Sequence, residues 1–284
     1  MSSGNMPRTQ HPELFQWQAR LSPADYLRAT YRVASQHDGV ATAMAMAMEQ
    51  SAATTAIRGH VEPAMLEDWT IRVLDVQADG DAAGAVAPYH LQTEVYADEE
   101  GGESAWRVEL AIPRRLLAGK PAQLWNVVVG EIPRLGFLTR FQLAALALPE
   151  GFGPGPGFGV SGIRAMLGVE RGPVLCRSMR PAVGLDTDTM ARLNREVLEG
   201  GFHMVKDDEL QVFADGGDFA RHVQAMVAAR DAARAASGQR KGYLANLICE
   251  PWELQSRWEV ACEAGVDAVL VAPGIQGMGT LEML

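Results

Sequence analysis

Apolar and polar positions alternate along much of the first half of the chain. One segment there departs from this alternation, because it is almost entirely apolar and lacks turn residues. Residues 25–35, DYLRATYRVAS, mix Tyr26, Ala29 and Tyr31 with polar positions, which is typical of a strand. Residues 39–51, GVATAMAMAMEQS, are rich in alanine and methionine and predict a buried helix. Further strands are predicted at residues 69–77, 90–98, 105–113 and 138–149, and a second helix is predicted at residues 121–132. This order predicts an α+β domain with helices on one face of an antiparallel sheet.

A segment rich in glycine and proline, residues 149–168, separates this pattern from a different one. After it, four apolar strand segments alternate with helical segments, which indicates a parallel sheet covered by helices. A (β/α)8 barrel is the simplest fold that contains such a sheet, but a complete barrel takes about 250 residues. Because roughly half of that length follows the linker, we expect either a truncated barrel or a short open α/β sheet.

The pattern therefore divides the chain into three parts. Residues 1–22 are expected to form a disordered N-terminal tail, residues 23–148 an α+β domain, and residues 149–284 the α/β domain. The polar N-terminus lacks the apolar core of a signal peptide. No apolar run reaches the roughly 18 residues that suggest a membrane span.

Composition narrows the functional classes. The formal net charge is -10 and the isoelectric point is about 5.1, which argues against nonspecific nucleic-acid binding, since that needs a basic surface. The three cysteines, Cys176, Cys249 and Cys262, have no CxxC spacing, so a disulfide framework or a cysteine zinc site is disfavoured. We expect a cytoplasmic protein that acts on a small molecule and binds neither nucleic acid nor a membrane.

Polar side chains collect where the predicted parallel strands end. Ser178 and Arg180 follow the first strand, and the run Lys206, Asp207, Asp208 and Glu209 (KDDE) follows the second. Functional residues of parallel α/β sheets lie at these carboxyl ends. A charged run of this kind is also typical of a solvated turn, so both interpretations stay open on the pattern alone.

The carboxylates of this run are ligands of the kind that Mg2+ prefers. Lys206 does not fit such a site as an ammonium group, and its acidic neighbours favour that charged form. Carbamylation is one solution, because addition of CO2 to the neutral amine turns the lysine into an anionic oxygen ligand.

The chain resembles the large chain of ribulose-bisphosphate carboxylase (RuBisCO), in its divergent RuBisCO-like branch. GGFHMVKDDE at residues 200–209 is similar to the family motif G-G-x-x-x-x-K-D-D-E, and GPVLCRSMRPAVGL at residues 172–185 is similar to the strand before it. KGYLANL resembles the third strand, and AMEQSAATT resembles the N-terminal segment E-x-S-T-G-T-W. The resemblance implies an α/β chain: an N-terminal ferredoxin-like α+β domain followed by the first half of a (β/α)8 TIM barrel. It also implies a homodimer whose active sites combine the barrel of one subunit with the N-terminal domain of the other.

When the family's functional residues are carried over by position, the resemblance implies that Lys206 is the carbamylated lysine. It also implies that Asp208 and Glu209 are the other Mg2+ ligands. Asp207 matches the motif without being a ligand. Glu49 and Thr54 fall where the family's N-terminal domain contributes to the partner's site. Ser178, together with these two residues, is a candidate for substrate binding.

The departures from the family pattern concern the reaction. Arg180 and Ala182 replace the two lysines of the family's K-P-K, Glu131 stands in place of a metal-side asparagine, and Thr55 replaces an aromatic residue. Arginine does not release its proton at useful pH, so Arg180 suits the binding of a phosphate or an enolate oxygen better than proton transfer. These changes speak against carboxylation of ribulose bisphosphate and leave the metal-binding half of the site intact.

The resulting hypothesis is a Mg2+-dependent enzyme with CO2 bound as a lysine carbamate. It would enolise, isomerise or decarboxylate a small, phosphorylated, sugar-derived ketone through a metal-stabilised enediolate. The alternatives are a catalytically inactive truncated homologue with a structural or assembly role, and a true ribulose-bisphosphate carboxylase.

Overall fold

A computed structural model describes residues 11–51, 62–80, 103–153, 155, 157–211 and 213–283. The chain divides into two units, Met1–Pro154 and Gly155–Leu284. This division lies a few residues beyond the boundary at 148/149 that the sequence suggested.

An antiparallel sheet of four strands forms the centre of the first unit, in the order β2-β3-β1-β4. The strands are β1 (Tyr26–Ser35), β2 (Arg72–Ala78), β3 (Ser104–Pro113) and β4 (Leu138–Ala147). The helices are α1 (Gly39–Glu49), the short α2 (Pro63–Leu66) and α3 (Pro121–Trp125), which continues as a π-helix over Asn126–Gly130. The split βαβ order, with β3 between β1 and β2, confirms the ferredoxin-like prediction. The strand predicted at residues 90–98 lies outside the described residues.

Helix α1 packs closely on this sheet. Asp38 caps its first turn, because the Asp38 carboxylate accepts a hydrogen bond of 2.9 Å from the Ala41 N–H. At Gly39 a Cβ atom would lie 2.6 Å from the Trp106 ring, so only glycine allows this approach of helix to sheet. Most alanines and methionines of α1 are buried in the core, as the apolar pattern of residues 39–51 predicted; they are Ala43, Ala45, Met46, Ala47 and Met48.

The expectation of a disordered tail over residues 1–22 is wrong for residues 11–22. A 3-10 helix spans Pro12–Phe15, and Phe15 is fully buried in the core of the first unit. The guanidinium of Arg72, also fully buried, donates to the main-chain oxygens of Glu13 and Glu67. The two buried apolar residues of this segment, Leu14 and Phe15, are too few to show a periodic pattern, yet their burial favours an ordered segment.

A parallel sheet in sequence order, β5-β6-β7-β8, forms the second unit. Its strands are β5 (Cys176–Ser178), β6 (Met204–Lys206), β7 (Gly242–Asn246) and β8 (Ala268–Leu270). Its helices are α4 (Val160–Leu167), α5 (Thr187–Glu199), α6 (Gly216–Ser237), α7 (Leu254–Ala264), α8 (Pro273–Gln276) and α9 (Thr280–Met283). The alternation of strands and helices confirms the predicted half of a TIM barrel.

None of the helices in the described ranges is long and apolar enough to cross a membrane.

Candidate functional site

The carboxyl ends of β5 and β6 place the predicted site residues side by side. Ser178 on β5 pairs in register with Lys206 on β6, and the KDDE run continues directly from β6. The structure thus brings together five residues singled out from the sequence, namely Ser178, Arg180, Lys206, Asp208 and Glu209.

Asp208 is the buried carboxylate of this group. Its Oδ2 accepts hydrogen bonds from the Ser178 hydroxyl at 3.1 Å and from the Arg180 guanidinium at 2.9 Å, and its Oδ1 accepts from the Leu210 N–H at 3.1 Å. These contacts, with the Leu210 N–H as the largest, lower the pKa of Asp208. Asp208 is therefore a carboxylate at neutral pH, ready to accept a cation.

Lys206 and Glu209 form a direct pair, with 2.5 Å between Nζ and Oε1. The hydrogen bond from Lys206 lowers the pKa of Glu209. Lys206 is only 22% exposed and Glu209 is about half exposed, so the pair lies at the rim of the strand end. In this arrangement the lysine is an ammonium group that neutralises one of the two carboxylates beside it.

Asp207 points away from the other members of the run, into a buried network. Its Oδ2 accepts from the Tyr243 hydroxyl at 2.6 Å and the Asn246 N–H at 3.2 Å, and its Oδ1 lies 3.0 Å from His222 Nε2. The Asn246 side chain also donates to the main-chain oxygen of Asp208 at 3.1 Å. Burial, followed by the charge of Asp207, raises the pKa of Tyr243 well above its usual range. The network fixes the backbone between Lys206 and Glu209.

Sequence reasoning missed His222, Tyr243 and Asn246 as supports of the site. Tyr243 and Asn246 are polar residues within an apolar strand segment, and that signal marks buried hydrogen-bonding positions. His222 lies in the middle of the long helix α6 and has no comparable signal in the sequence.

The candidates in the first unit form a separate group. Glu131 pairs with Arg134, and the charge of Arg134 also acts on Glu49. Burial raises the pKa of Glu49, and Arg134 opposes that rise. Thr54 lies outside the described residues. Arg134 thus pairs with Glu131 and also acts electrostatically on Glu49.

The donor set at the end of β6 fits a hard divalent cation once the lysine is carbamylated. Within the described ranges, no group of three or more His, Cys, Asp and Glu side chains is arranged to hold a metal ion. Asp208 and Glu209 supply two carboxylates, and Lys206 contacts Glu209 while its charge acts on Asp208. A carbamate at Nζ would complete a set of three oxygen ligands of the type that Mg2+ binds.

The comparisons with known proteins agree with this arrangement. Residues 159–284 match the family model described as ribulose bisphosphate carboxylase large chain, catalytic domain. An uncharacterized ribulose bisphosphate carboxylase-like protein of Bordetella bronchiseptica is 26% identical over 266 residues, covering 92% of this chain and 61% of the relative. The 5-methylthioribulose-1-phosphate isomerase of Rhodospirillum rubrum is 30% identical over 268 residues, and the match covers 91% of this chain and 63% of the isomerase.

Among solved structures, the dimeric archaeal Rubisco of Hyperthermus butylicus has the same fold. It superposes with a TM-score of 0.76 at 23% identity, over 96% of this chain and 60% of that structure. The chain therefore spans about three fifths of the length of the relatives it matches. Residues 159–284 therefore carry a domain of the ribulose bisphosphate carboxylase large-chain family, and the chain is similar over most of its length to RuBisCO-like proteins.

Proposed function

We propose that this chain contributes the metal-binding part of a RuBisCO-like active site that enolises, isomerises or decarboxylates a small, phosphorylated, sugar-derived ketone. The observation that carries the proposal is the contact of Lys206 with Glu209 beside the buried carboxylate of Asp208, at the carboxyl end of β6. A lysine that contacts one carboxylate and lies near a second at a parallel strand end is positioned to become a third anionic ligand.

Lys206 as a carbamate, Asp208 and Glu209 would hold Mg2+. An ion held there would supply Lewis-acid chemistry, that is, positive charge beside a substrate carbonyl oxygen. The Ser178 hydroxyl and the Arg180 guanidinium both contact Asp208 and lie beside the proposed ligands. Arg180 is two-thirds exposed, so it is free to exchange Asp208 for an anionic group of the substrate.

Two side chains argue against carboxylation as the reaction. Arg180 is a fixed cation that binds oxygen anions but does not shuttle protons. Ala182 is buried and carries no amine. The name of the Rhodospirillum rubrum relative, an isomerase of a phosphorylated ketose, agrees with a reaction that stops at enolisation and proton transfer.

The proposal includes a cytoplasmic homodimer in which each subunit completes the partner's site. Glu49, Thr54 and Glu131 would be the residues that the first unit contributes to substrate binding across the dimer. The action of Arg134 on both Glu131 and Glu49 supports a common role for these two carboxylates.

Proton exchange tests the proposed reaction. Incubation with 5-methylthioribulose 1-phosphate in D2O, with Mg2+ and bicarbonate, should place deuterium on a carbon next to the carbonyl, as followed by proton NMR. Arg180→Ala should slow the exchange by about tenfold or more, because a fixed charge at the developing oxyanion is lost. Arg107→Ala is the matched control, since Arg107 is an exposed arginine on β3 of the first unit.

The two alternatives give different results in the same experiment. Mg2+ binding without deuterium incorporation would favour an inactive homologue with a structural or assembly role. Incorporation of labelled CO2 into an acid-stable product from ribulose bisphosphate would identify a true carboxylase and overturn the proposal.

A further inference from the structure

A second group of charged side chains surrounds a cavity at the amino-terminal ends of β6 and β7, opposite to the KDDE end. This cavity, called here the amino-end cavity, has a volume of about 460 Å3 and is lined by residues 167–171, His203 and residues 238–240. All of these residues belong to the second unit.

Two cationic side chains, Arg171 and Arg240, line this cavity, and two more, Arg164 and Lys241, hydrogen-bond to residues of its lining. None of the four has a carboxylate partner within the described part of the chain. By contrast, every arginine of α5, α6 and α7 pairs with a carboxylate. In a chain with 35 acidic and 25 basic residues, four adjacent cations without a carboxylate partner are unusual.

Main-chain oxygens fix three of these cations without neutralising them. The Arg164 guanidinium donates to the Val169 and Gly172 oxygens at 3.2 and 2.6 Å, and Arg240 donates to the Ala165 oxygen at 2.7 Å. Lys241 is buried, and its Nζ donates to the Phe202 oxygen at 2.9 Å and to the side chain of Gln239 at 3.0 Å. Gln239 itself lines the cavity.

The negative groups nearby are too few to balance these cations. Helices α4 and α6 both end at the cavity, at Gly168 and Gly238, and each helix end contributes about half a negative charge. Glu170 is the one carboxylate in the cavity lining. These groups balance Arg171 and Arg240 of the lining, so the positive charge that remains comes from Arg164 and Lys241, which lie against lining residues.

His203 adds a hydrogen-bond donor to the lining. The Leu175 N–H donates to His203 Nδ1 at 3.0 Å, so Nδ1 is the unprotonated nitrogen and Nε2 carries the ring proton. His203 thus forms part of the wall of the cavity.

We propose that the amino-end cavity binds a phosphate-bearing small molecule. Guanidinium groups and an imidazole N–H are the donors that phosphate oxygens accept from most strongly, and the cavity is large enough for a small metabolite. The inference does not rest on the proposed function, because the two sites lie at opposite ends of the strands.

Titration with inorganic phosphate in low-salt buffer with EDTA and without bicarbonate tests the proposal, by calorimetry or phosphorus NMR. Arg171→Ala should weaken binding by about fivefold, the effect of one partly exposed charge. The substitution should leave folding intact, because Arg171 is exposed and makes no contact with other described residues. Glu170→Gln should strengthen binding by about twofold or more, because it removes the opposing charge.

Two control variants locate the binding site. Arg107→Ala alters an exposed arginine of the first unit and should not change the affinity for phosphate, whereas Arg180→Ala reports any phosphate that binds at the carboxyl end. Loss of binding in Arg180→Ala with no change in Arg171→Ala would assign the phosphate to the carboxyl end and overturn the proposal. Absence of binding to the unaltered chain, or weaker binding in Glu170→Gln, would also overturn it.

Discussion

Lys206→Ala is expected to abolish the rise in melting temperature that Mg2+ and bicarbonate together give to the unaltered chain. At a ligand concentration 100 times Kd, binding to the folded state stabilises by about 2.7 kcal/mol, which is a shift of roughly 5–10 °C for a chain of this size. The variant lacks the amine that CO2 must modify, and Asp208 and Glu209 alone leave the ligand set incomplete. Thermal unfolding by circular dichroism, with each ligand alone and with both, measures the effect.

Lys120→Ala is the matched control for this experiment. The chain has three lysines, Lys120, Lys206 and Lys241, and Lys120 is an exposed residue of the first unit. It should keep the full response to Mg2+ and bicarbonate. An equal response in Lys206→Ala would show that any metal binding is independent of this lysine.

Tyr243→Phe should destabilise the folded protein by about 1.5–3 kcal/mol, because it removes a hydrogen bond to a buried charged acceptor. Asp207 would keep its charge in a site where water is excluded, with the Asn246 N–H and His222 as its remaining contacts. Urea unfolding followed by circular dichroism gives the change in the free energy of unfolding.

Tyr31→Phe is the comparison that isolates the effect of the Asp207 charge on the free energy of unfolding. Tyr31 is also fully buried, but its hydroxyl donates to the neutral Val128 oxygen at 3.0 Å. Its loss should cost about 0.5–1.5 kcal/mol. If Tyr243→Phe is no more destabilising than Tyr31→Phe, the Asp207 network does not support the strand end as described.

The placement of the KDDE run could be predicted because it depends on local patterns. The apolar segment before Lys206 indicates a buried strand. Glycines precede this strand and a helical segment follows the charged run, which indicates a βα unit. Since the charged run follows the strand in the chain, it must lie at the strand's carboxyl end. The same reasoning placed Ser178 and Lys206 at the carboxyl ends of consecutive parallel strands. Their register depends only on two adjacent parallel strands.

The contacts inside the site could not be predicted, because they depend on the path of loops and on residues far apart in the chain. The pairing of Arg180 with Asp208 requires the loop after β5 to turn back over β6. The contact of His222 with Asp207 depends on the rotation of α6 above the sheet. The order in residues 11–22 depends on Arg72, about 60 residues later, and no periodicity reveals such a contact.

Carbon NMR with 13C-labelled bicarbonate tests the central claim most directly, since only three lysines can form a carbamate. With Mg2+ present, the account predicts one carbamate resonance that is retained in Lys120→Ala and absent in Lys206→Ala. No carbamate resonance in the unaltered chain, or one that persists in Lys206→Ala, would contradict the assignment of Lys206 as the carbamylated metal ligand.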